Sequence, residues 1–281
     1  MAIEIEKALS LAASQLDPVS SSPSLDAEIL LSHVMDKHRA HLRAWPQERL
    51  TPQQKHTFEN LVARRRAGVP IAYIIGRREF WSLEFHVTPD TLIPRPETEL
   101  VVEHALLRLP AEGTHRVADL GTGSGAIALA VAHERPGCTV IATDNCAAAL
   151  SIARWNAARL KITNVEFHRG DWYQPLAGAR FHVLCSNPPY VREDDPHLTR
   201  GDLPHEPEAA LVAGETGVEA LQIIISGAQR HLHPGGWLIL EHGYDQADEV
   251  THRLRQQGFE DIESHCDIAG QSRVAVGKAP S

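Results

Sequence analysis

The sequence predicts an α/β fold: a doubly wound, mainly parallel sheet, with a small N-terminal helical domain and a linking β-hairpin. Three observations carry this expectation. From Arg116 onward, short apolar runs alternate with stretches of helical spacing, the pattern of a parallel sheet with helices on both faces. Before about residue 78 the apolar spacing is helical. Between these regions lies a partly alternating aromatic run, then a proline-rich stretch. A chain of 281 residues has room for one large or two ordinary domains. The expected divisions are 1–78, 79–96 and 97–281.

In the first division, Leu9, Ala12, Ala13 and Leu16 share a helical face, and Leu25, Ile29, Leu30 and Val34 continue that spacing after the turn at Ser20 to Ser24. Thr51-Pro52 predicts an N-cap followed by proline at the first helical position. Phe58, Leu61 and Val62 supply that helix's buried face. Arg64, Arg65 and Arg66 suit a solvated helix end, where basic charge complements the dipole.

Phe80, Trp81, Leu83, Phe85 and Val87 predict a short hairpin, with a turn at Thr88-Pro89-Asp90. Leu92 to Glu99 forms a rigid linker, leading into a helix that ends near Leu109. Strands are expected at 117–120, 139–143, 165–168, 181–185 and 237–241. A closing pair is expected at 259–263 and 273–276. Helices are expected at 126–133, 147–158, 218–232 and 246–257.

Hydrophobic residues make up 43% and charged residues 22%, ordinary for a soluble globular protein. The net charge is −9, from 27 basic and 36 acidic residues. Such a balance disfavours non-specific nucleic-acid binding, which needs a basic footprint. The cysteines Cys138, Cys146, Cys185 and Cys266 show no paired spacing, and three of the four suit a core setting. A reducing cytoplasm is the expected compartment. The N-terminus lacks the basic and apolar pattern of a signal peptide, and no apolar run reaches membrane-spanning length. The 17 histidines include no His-Glu-x-x-His, and no metal site is expected.

The chemistry-bearing stretch is Ser186-Asn187-Pro188-Pro189-Tyr190, which follows the apolar strand 181–185. Two prolines end a strand, since neither has an N–H to donate to a ladder. The residue before each proline is held extended. Such a cluster fixes an amide, outward carbonyls and an aromatic ring at a strand's C-terminal end, where open α/β sheets bind ligands. It suits a planar NH2 group. The Asn187 side-chain oxygen accepts one hydrogen, the Pro188 carbonyl accepts the other, and Tyr190 lies against the π face.

Asp119-Leu120-Gly121-Thr122-Gly123-Ser124-Gly125 ends the first strand of the sheet. Its glycines permit a tight turn and close approach of a ligand to the backbone. The spacing is Gly-x-Gly-x-Gly, not the Gly-x-Gly-x-x-Gly of dinucleotide binders. Asp144 ends the second strand, at the distance where a carboxylate takes ribose hydroxyls. Trp172 follows the third strand and could lie on an adenine face. Singly, these features also suit a turn, a helix cap and a core tryptophan. In order at successive strand ends they predict a nucleoside-bearing cofactor.

That ordering resembles the Rossmann-like methyltransferases that use S-adenosylmethionine, in which Asn-Pro-Pro-Tyr marks enzymes that methylate planar amino groups. A closer resemblance spans nearly the whole chain. Leu25 to Glu28, Gly68 to Tyr73, Glu79-Phe80-Trp81, Leu92 to Glu99, Glu206 to Leu211 and Asp267 to Gly270 are similar to the peptide chain release factor glutamine N5-methyltransferases, the HemK family. Ser82 stands where that family often has glycine, and Ser272 where it often has aspartate. Relatives that methylate a ribosomal protein usually carry Arg-Ser-Pro in place of Arg95-Pro96-Glu97.

The resemblance implies S-adenosyl-L-methionine as cofactor, with Gly121, Thr122, Gly123, Ser124, Gly125, Asp144, Trp172 and Asn187 as its contacts. It implies release factors as protein substrates, with Asn187, Pro188, Pro189 and Tyr190 holding the glutamine amide. Asn187, Pro188 and Tyr190 are the expected catalytic residues, and the N-terminal helices the expected recognition domain. Three alternatives stay open: an adenine or cytosine N-methyltransferase acting on a flipped nucleic-acid base, a ribosomal-protein glutamine methyltransferase, and a catalytically dead cofactor-binding or RNA-associated scaffold.

Overall fold

The computed structural model describes residues 3–176 and 178–281. Met1 and Ala2, where the N-terminal stretch begins, lie outside the described residues, as does Ala177. The chain forms two units. One comprises residues 1–77 together with Pro196–His205, the other residues 78–195 and 206–281. Among the described residues, no helix is long and apolar enough to cross a membrane.

The first unit packs α1 (Ile5–Leu16), α2 (Pro23–Met35), α3 (Arg39–Ala44), α4 (Pro52–Arg66) and α5 (Ile71–Ile75). Its core holds Ile5, Leu16, Leu30, Leu31, Leu42 and Phe58. The buried face of α1 is Ile5, Ala8, Ala12 and Leu16. This is the expected face rotated by one position, because Leu9 lies at its margin. The Thr51 cap forms as the sequence predicts. Its side chain accepts from the Gln54 N–H at 3.1 Å, and Gln54 Oε1 accepts from the Thr51 N–H at 2.9 Å, a complete capping box.

Arg65 departs from expectation. It is not solvated but buried, at 9% exposure, against Asp26 at 6%. Its Nε donates to Asp26 Oδ2 at 2.8 Å, and its Nη1 donates to Asp202 Oδ1 at 2.8 Å. The position is one turn beyond Phe58 and Val62 on the buried stripe of α4. The chain therefore tethers the segment around Asp202 with an ion pair taken out of water.

The second unit opens on a hairpin, β1 (Arg77–Phe80) and β2 (Leu83–His86). Its turn is Trp81-Ser82, and the expected turn at Thr88-Pro89-Asp90 forms just after β2, where the Thr91 N–H donates to the Thr88 carbonyl at 3.0 Å. Both residues of the hairpin turn are left-handed, at φ 52° and 56°, as a two-residue turn matched to strand twist requires. Neither is the Gly or Asn that marks such turns in a sequence. The unit continues through α6 (Glu99–Arg108), β3 (Arg116–Leu120), α7 (Ala126–Glu134), β4 (Thr139–Asp144), α8 (Ala147–Leu160), β5 (Val165–Arg169) and β6 (Phe181–Ser186). It ends with α9 (Glu219–His231), β7 (Leu232–Glu241), α10 (Ala247–Gln256), β8 (Glu260–Cys266) and β9 (Ser272–Lys278).

The seven-stranded sheet has the order β5-β4-β3-β6-β7-β9-β8. The first five strands are parallel, and β9 runs antiparallel to both of its neighbours, β7 and β8. Strand β7 starts earlier than expected, because α9 runs straight into it. Pro234 is tolerated there because the pairing shifts between Phe181 and Val183. Alternate residues of each strand feed opposite cores. Val117, Val140, Val183 and Ile239 face the core lined by α6 and α7. Ala118, Ile141, Leu184 and Leu238 face the core lined by α9 and α10. Two of the four cysteines are buried, Cys138 and Cys185; Cys146 and Cys266 are exposed.

Removing Arg65 strands the Asp26 carboxylate in the core of the first unit. Arg65→Ala is expected to cost about 3–5 kcal/mol in urea unfolding, the usual penalty for breaking one side of a buried pair. Replacing Asp26 and Arg65 together with apolar residues should recover most of that loss. A single-variant cost below about 1 kcal/mol would show that the pair is hydrated.

Candidate active site

Strand order reverses between β3 and β6: the chain winds outward through β4 and β5, then returns to lay β6 on the other side of β3. A crevice opens at the C-terminal ends of the strands at such a switch point. Here a cleft lies over those ends, its wall including Gly121, Asp144, Trp172, Asn187 and Arg95.

The glycine turn is set by backbone geometry. The N–H groups of Gly121 and Thr122 both donate to the Thr143 carbonyl at 2.9 Å, binding the end of β3 to that of β4. Gly123, at φ 56°, has no atom within 4 Å of where a Cβ would stand, and it lines the cleft. Gly125 instead packs inward. A Cβ there would lie 3.0 Å from Leu129 Cδ1 and 3.2 Å from Ala153 Cβ. From below, buried Asn156 donates Nδ2 to the Ser124 carbonyl at 2.9 Å.

Asp144 is clamped by two backbone donors, the Gly123 N–H on Oδ2 at 2.9 Å and the Cys146 N–H on Oδ1 at 2.8 Å. Burial raises its pKa, and those two hydrogen bonds work against the rise. Each oxygen keeps a further acceptor direction. The Trp172 ring lies against Gly121, where an added Cβ would come within 3.3 Å of it. The open backbone at Gly123, the flat indole wall and the strand-end carboxylate fit a nucleoside: a face to stack on and acceptors for vicinal hydroxyls.

Asp119 is fully buried beneath the turn. Its Oδ2 accepts from Thr122 Oγ1 at 2.6 Å and from the Ala128 N–H at 3.1 Å. Its Oδ1 has no partner among the described residues. Burial pushes its pKa up to about 7, against the pull of those two donors.

On the other flank, Ser186 Oγ donates to the Leu120 carbonyl at 2.6 Å and locks β6 to β3. Asn187 follows, and its Nδ2 donates to Thr98 Oγ1 at 3.0 Å. Asn187 and Pro189 line the cleft; Gly125, Pro188 and Tyr190 do not. The Tyr190 hydroxyl donates to Glu241 Oε1 at 3.1 Å, and its ring packs on the core beneath α9 and α10. The Pro188 ring is buried. The cleft thus brings together Gly121, Thr122, Gly123, Ser124, Asp144, Trp172, Asn187 and Pro189, while the other three expected residues stand behind its wall.

The sequence did not single out several further residues. Thr98 lines the cleft, and Glu241 ends β7 with its pKa raised by burial to about 7. A carboxylate closing an apolar parallel strand was the available signal for Glu241. Glu206 is buried, accepts from the Ile93 N–H at 3.1 Å and pairs with Arg95. The exposed thiol of Cys146 also sits on the cleft wall. A separate trio, His104, Glu263 and His265, places ligand-type atoms within 4.8 Å of one another. Arg108 occupies it, donating to Glu263 Oε2 at 2.7 Å and standing 3.0 Å from His104 Nδ1.

Residues 98–201 match the methyltransferase small domain, and residues 7–76 match the PrmC N-terminal domain. The chain is therefore a Rossmann-like methyltransferase in class. A solved methyltransferase from Pyrococcus furiosus shares this fold at 19% identity, with a TM-score of 0.55 over 79% of this chain and all of that one (100%). Full-length relatives narrow the assignment. The chain is 49% identical to the release factor glutamine methyltransferase of Coxiella burnetii, over 98% of this chain and 99% of that protein. It is 46% identical to the Escherichia coli protein of the same name, again over 98% and 99%. The chain belongs to the release factor glutamine methyltransferase family.

Asp119 gives the site a pH signature. Its folded pKa of about 7 lies above the unfolded carboxylate value of about 3.9. The folded state therefore binds the extra proton, and this contribution to stability is lost as pH rises towards 7. Asp119→Asn removes the titration and keeps an oxygen for Thr122 and Ala128. Urea unfolding at about pH 5.5 and pH 8 should show the variant gaining on the wild type as pH rises, by at most ~1.4 kcal/mol per unit. A pH-independent difference would mean that Asp119 is already ionised at the lower pH.

Proposed function

We propose that the chain transfers the methyl group of S-adenosyl-L-methionine to the side-chain amide nitrogen, N5, of glutamine in the Gly-Gly-Gln motif of peptide chain release factors. The observation that carries this reading is the fixed Asn187. With Nδ2 engaged by Thr98, its Oδ1 is the group left to accept from an incoming NH2. Family membership supports the choice of substrate, as does Arg95-Pro96-Glu97 in place of Arg-Ser-Pro. The acidic balance supports a protein over a nucleic-acid target. The proposed setting is the cytoplasm.

The residues that would hold the cofactor are Gly121 to Gly125, Asp144, Trp172 and Asn187. Asp144 would take the ribose hydroxyls, Trp172 the base, and the glycine turn would let the ligand approach the backbone. When bound, the cofactor supplies a methyl group activated by its sulfonium. An amide nitrogen is a poor nucleophile, since its lone pair is delocalised as in a peptide bond. Asn187 Oδ1 and the Pro188 carbonyl would accept its two hydrogens, aim that lone pair and stabilise the positive charge developing on the NH2. Pro189 and Tyr190 would complete the amide's seat, Tyr190 from its tethered position on Glu241. The N-terminal residues 1–78 would recognise the protein substrate, 79–96 would link, and 97–281 would carry the chemistry.

The test is mass spectrometry of a release factor incubated with the enzyme and S-adenosylmethionine. One methyl on the Gly-Gly-Gln glutamine is expected. Changing that glutamine to asparagine should abolish it, because a side chain one methylene shorter leaves the nitrogen out of line. Asn187→Ala should lose at least ~100-fold in rate while remaining folded. An unmodified release factor, with methyl on DNA adenine instead, would overturn the assignment.

A further inference from the structure

The Asn-Pro-Pro-Tyr segment is a stiff strut. Proline fixes its own φ, and the residue before a proline is held extended. Asn187, Pro188 and Pro189 therefore move together. A displacement at one end is passed to the middle, where the Pro188 carbonyl sits. The two prolines also lack an N–H, so the middle of the strut cannot be tied as a strand is tied. It has to be fixed from its ends.

The near end is secured by β6, through the Ser186 hydroxyl on the Leu120 carbonyl at 2.6 Å. The far end is held by Gln246. Its Nε2 donates to the Tyr190 carbonyl at 3.0 Å and to the Gly217 carbonyl at 3.1 Å. Its Oε1 accepts from the Gly243 N–H at 2.9 Å. These partners fix the orientation of the carboxamide, because a carbonyl only accepts and a backbone N–H only donates. Gln246 stands at the N-cap of α10, yet its side chain makes no cap bond there. It joins the end of the strut to the turn before α9 and the turn after β7 instead. Gly217 makes room for this junction. At φ 77°, a Cβ on it would lie 2.8 Å from the Tyr190 carbonyl oxygen. Gln246, Gly217 and Gly243 all lie outside the lining of the cleft.

We infer that Gln246 is a positioning residue for methyl transfer: by clamping the Tyr190 end of the strut, it sets where the Pro188 carbonyl stands against the target amide. The inference deepens the proposed glutamine-amide reading and rests on it for its consequence in turnover. Tyr190 is held twice. Its hydroxyl donates to Glu241 Oε1 at 3.1 Å, which fixes the ring. That bond alone leaves the backbone free to pivot about the ring, and Gln246 removes this freedom.

Gln246→Glu keeps the length and the acceptor for Gly243, but turns a second oxygen towards two carbonyls. Gln246→Ala removes the clamp. Each is expected to lower kcat roughly 10- to 100-fold, since ~1 Å of misplacement can cost about 100-fold. Release-factor KM and the calorimetric affinity for S-adenosylmethionine should stay within about twofold of wild type. A purely structural role would lower the urea midpoint and leave kcat per folded enzyme within about twofold, and that result would overturn the inference. So would a loss of cofactor affinity in step with the loss of kcat. Gly217→Ala crowds the same carbonyl from the other side and should give the same pattern. Combined with Gln246→Ala, the two losses should be less than additive.

A second measurement needs neither substrate nor variant. In NMR spectra of the wild type, both side-chain amide protons of Gln246 should exchange with solvent more slowly than those of an exposed glutamine. Free exchange of either proton would refute the clamp. If the wild type leaves release factors unmodified while both protons stay protected, the functional reading falls and the clamp on Tyr190 stands.

Discussion

The site depends on one constraint: parallel strands on either side of β3 must end level, with their terminal backbone groups tied together. Thr143 of β4 receives the N–H groups of Gly121 and Thr122. Ser186 of β6 is tied to Leu120 of β3 at 2.6 Å. These bonds put the glycine turn, Asp144 and Asn187 on one rim. Strand ends at a switch point diverge in their connections, so the crevice is a consequence of topology and not of any single side chain. What the side chains add is orientation.

That orientation rests on carboxyl groups held in dry surroundings. Asp119 and Glu241 are each 1% exposed, and burial raises both pKa values to about 7. A core built for stability alone would use apolar residues in such places. Asp119 holds the Thr122 side chain and the first turn of α7; Glu241 holds Tyr190. In both cases a buried carboxyl oxygen accepts from a neighbouring hydroxyl, Thr122 on Asp119 and Tyr190 on Glu241. Asp144 is less deeply placed, and each of its oxygens is steadied by a backbone N–H. Functional groups that must present lone pairs in a fixed direction are thus backed by fixed donors, the requirement of a preorganised site.

Much of this was legible in the sequence because it is local. The Gly-x-Gly-x-Gly turn, the carboxylate ending the next strand and the proline pair after Asn187 each announce themselves within a few residues, through backbone rules. The capping box at Thr51 is legible for the same reason. The illegible parts are non-local or break a propensity rule. Thr98 and Asn187 lie 89 positions apart, and Tyr190 and Glu241 lie 51 apart. No periodicity encodes such meetings. Arg65 belongs to a run of three arginines, and the partners that make its burial tolerable, Asp26 and Asp202, lie 39 and 137 positions away. The hairpin's own turn left no mark in the sequence because Trp81 and Ser82 adopt left-handed geometry without being turn formers.

A cleft that only aligns its two partners makes a definite demand on stereochemistry. The strongest nucleophile on its wall is the Cys146 thiol. Direct passage of the methyl group to the amide nitrogen inverts its configuration once. A relay through Cys146 would invert it twice. Transfer from S-adenosylmethionine bearing a methyl group made chiral with hydrogen isotopes, followed by configurational analysis of the methylated glutamine, separates the two routes. Net inversion is the predicted result. Net retention would contradict the account, because the chain would then act as a covalent carrier and not as an aligning surface.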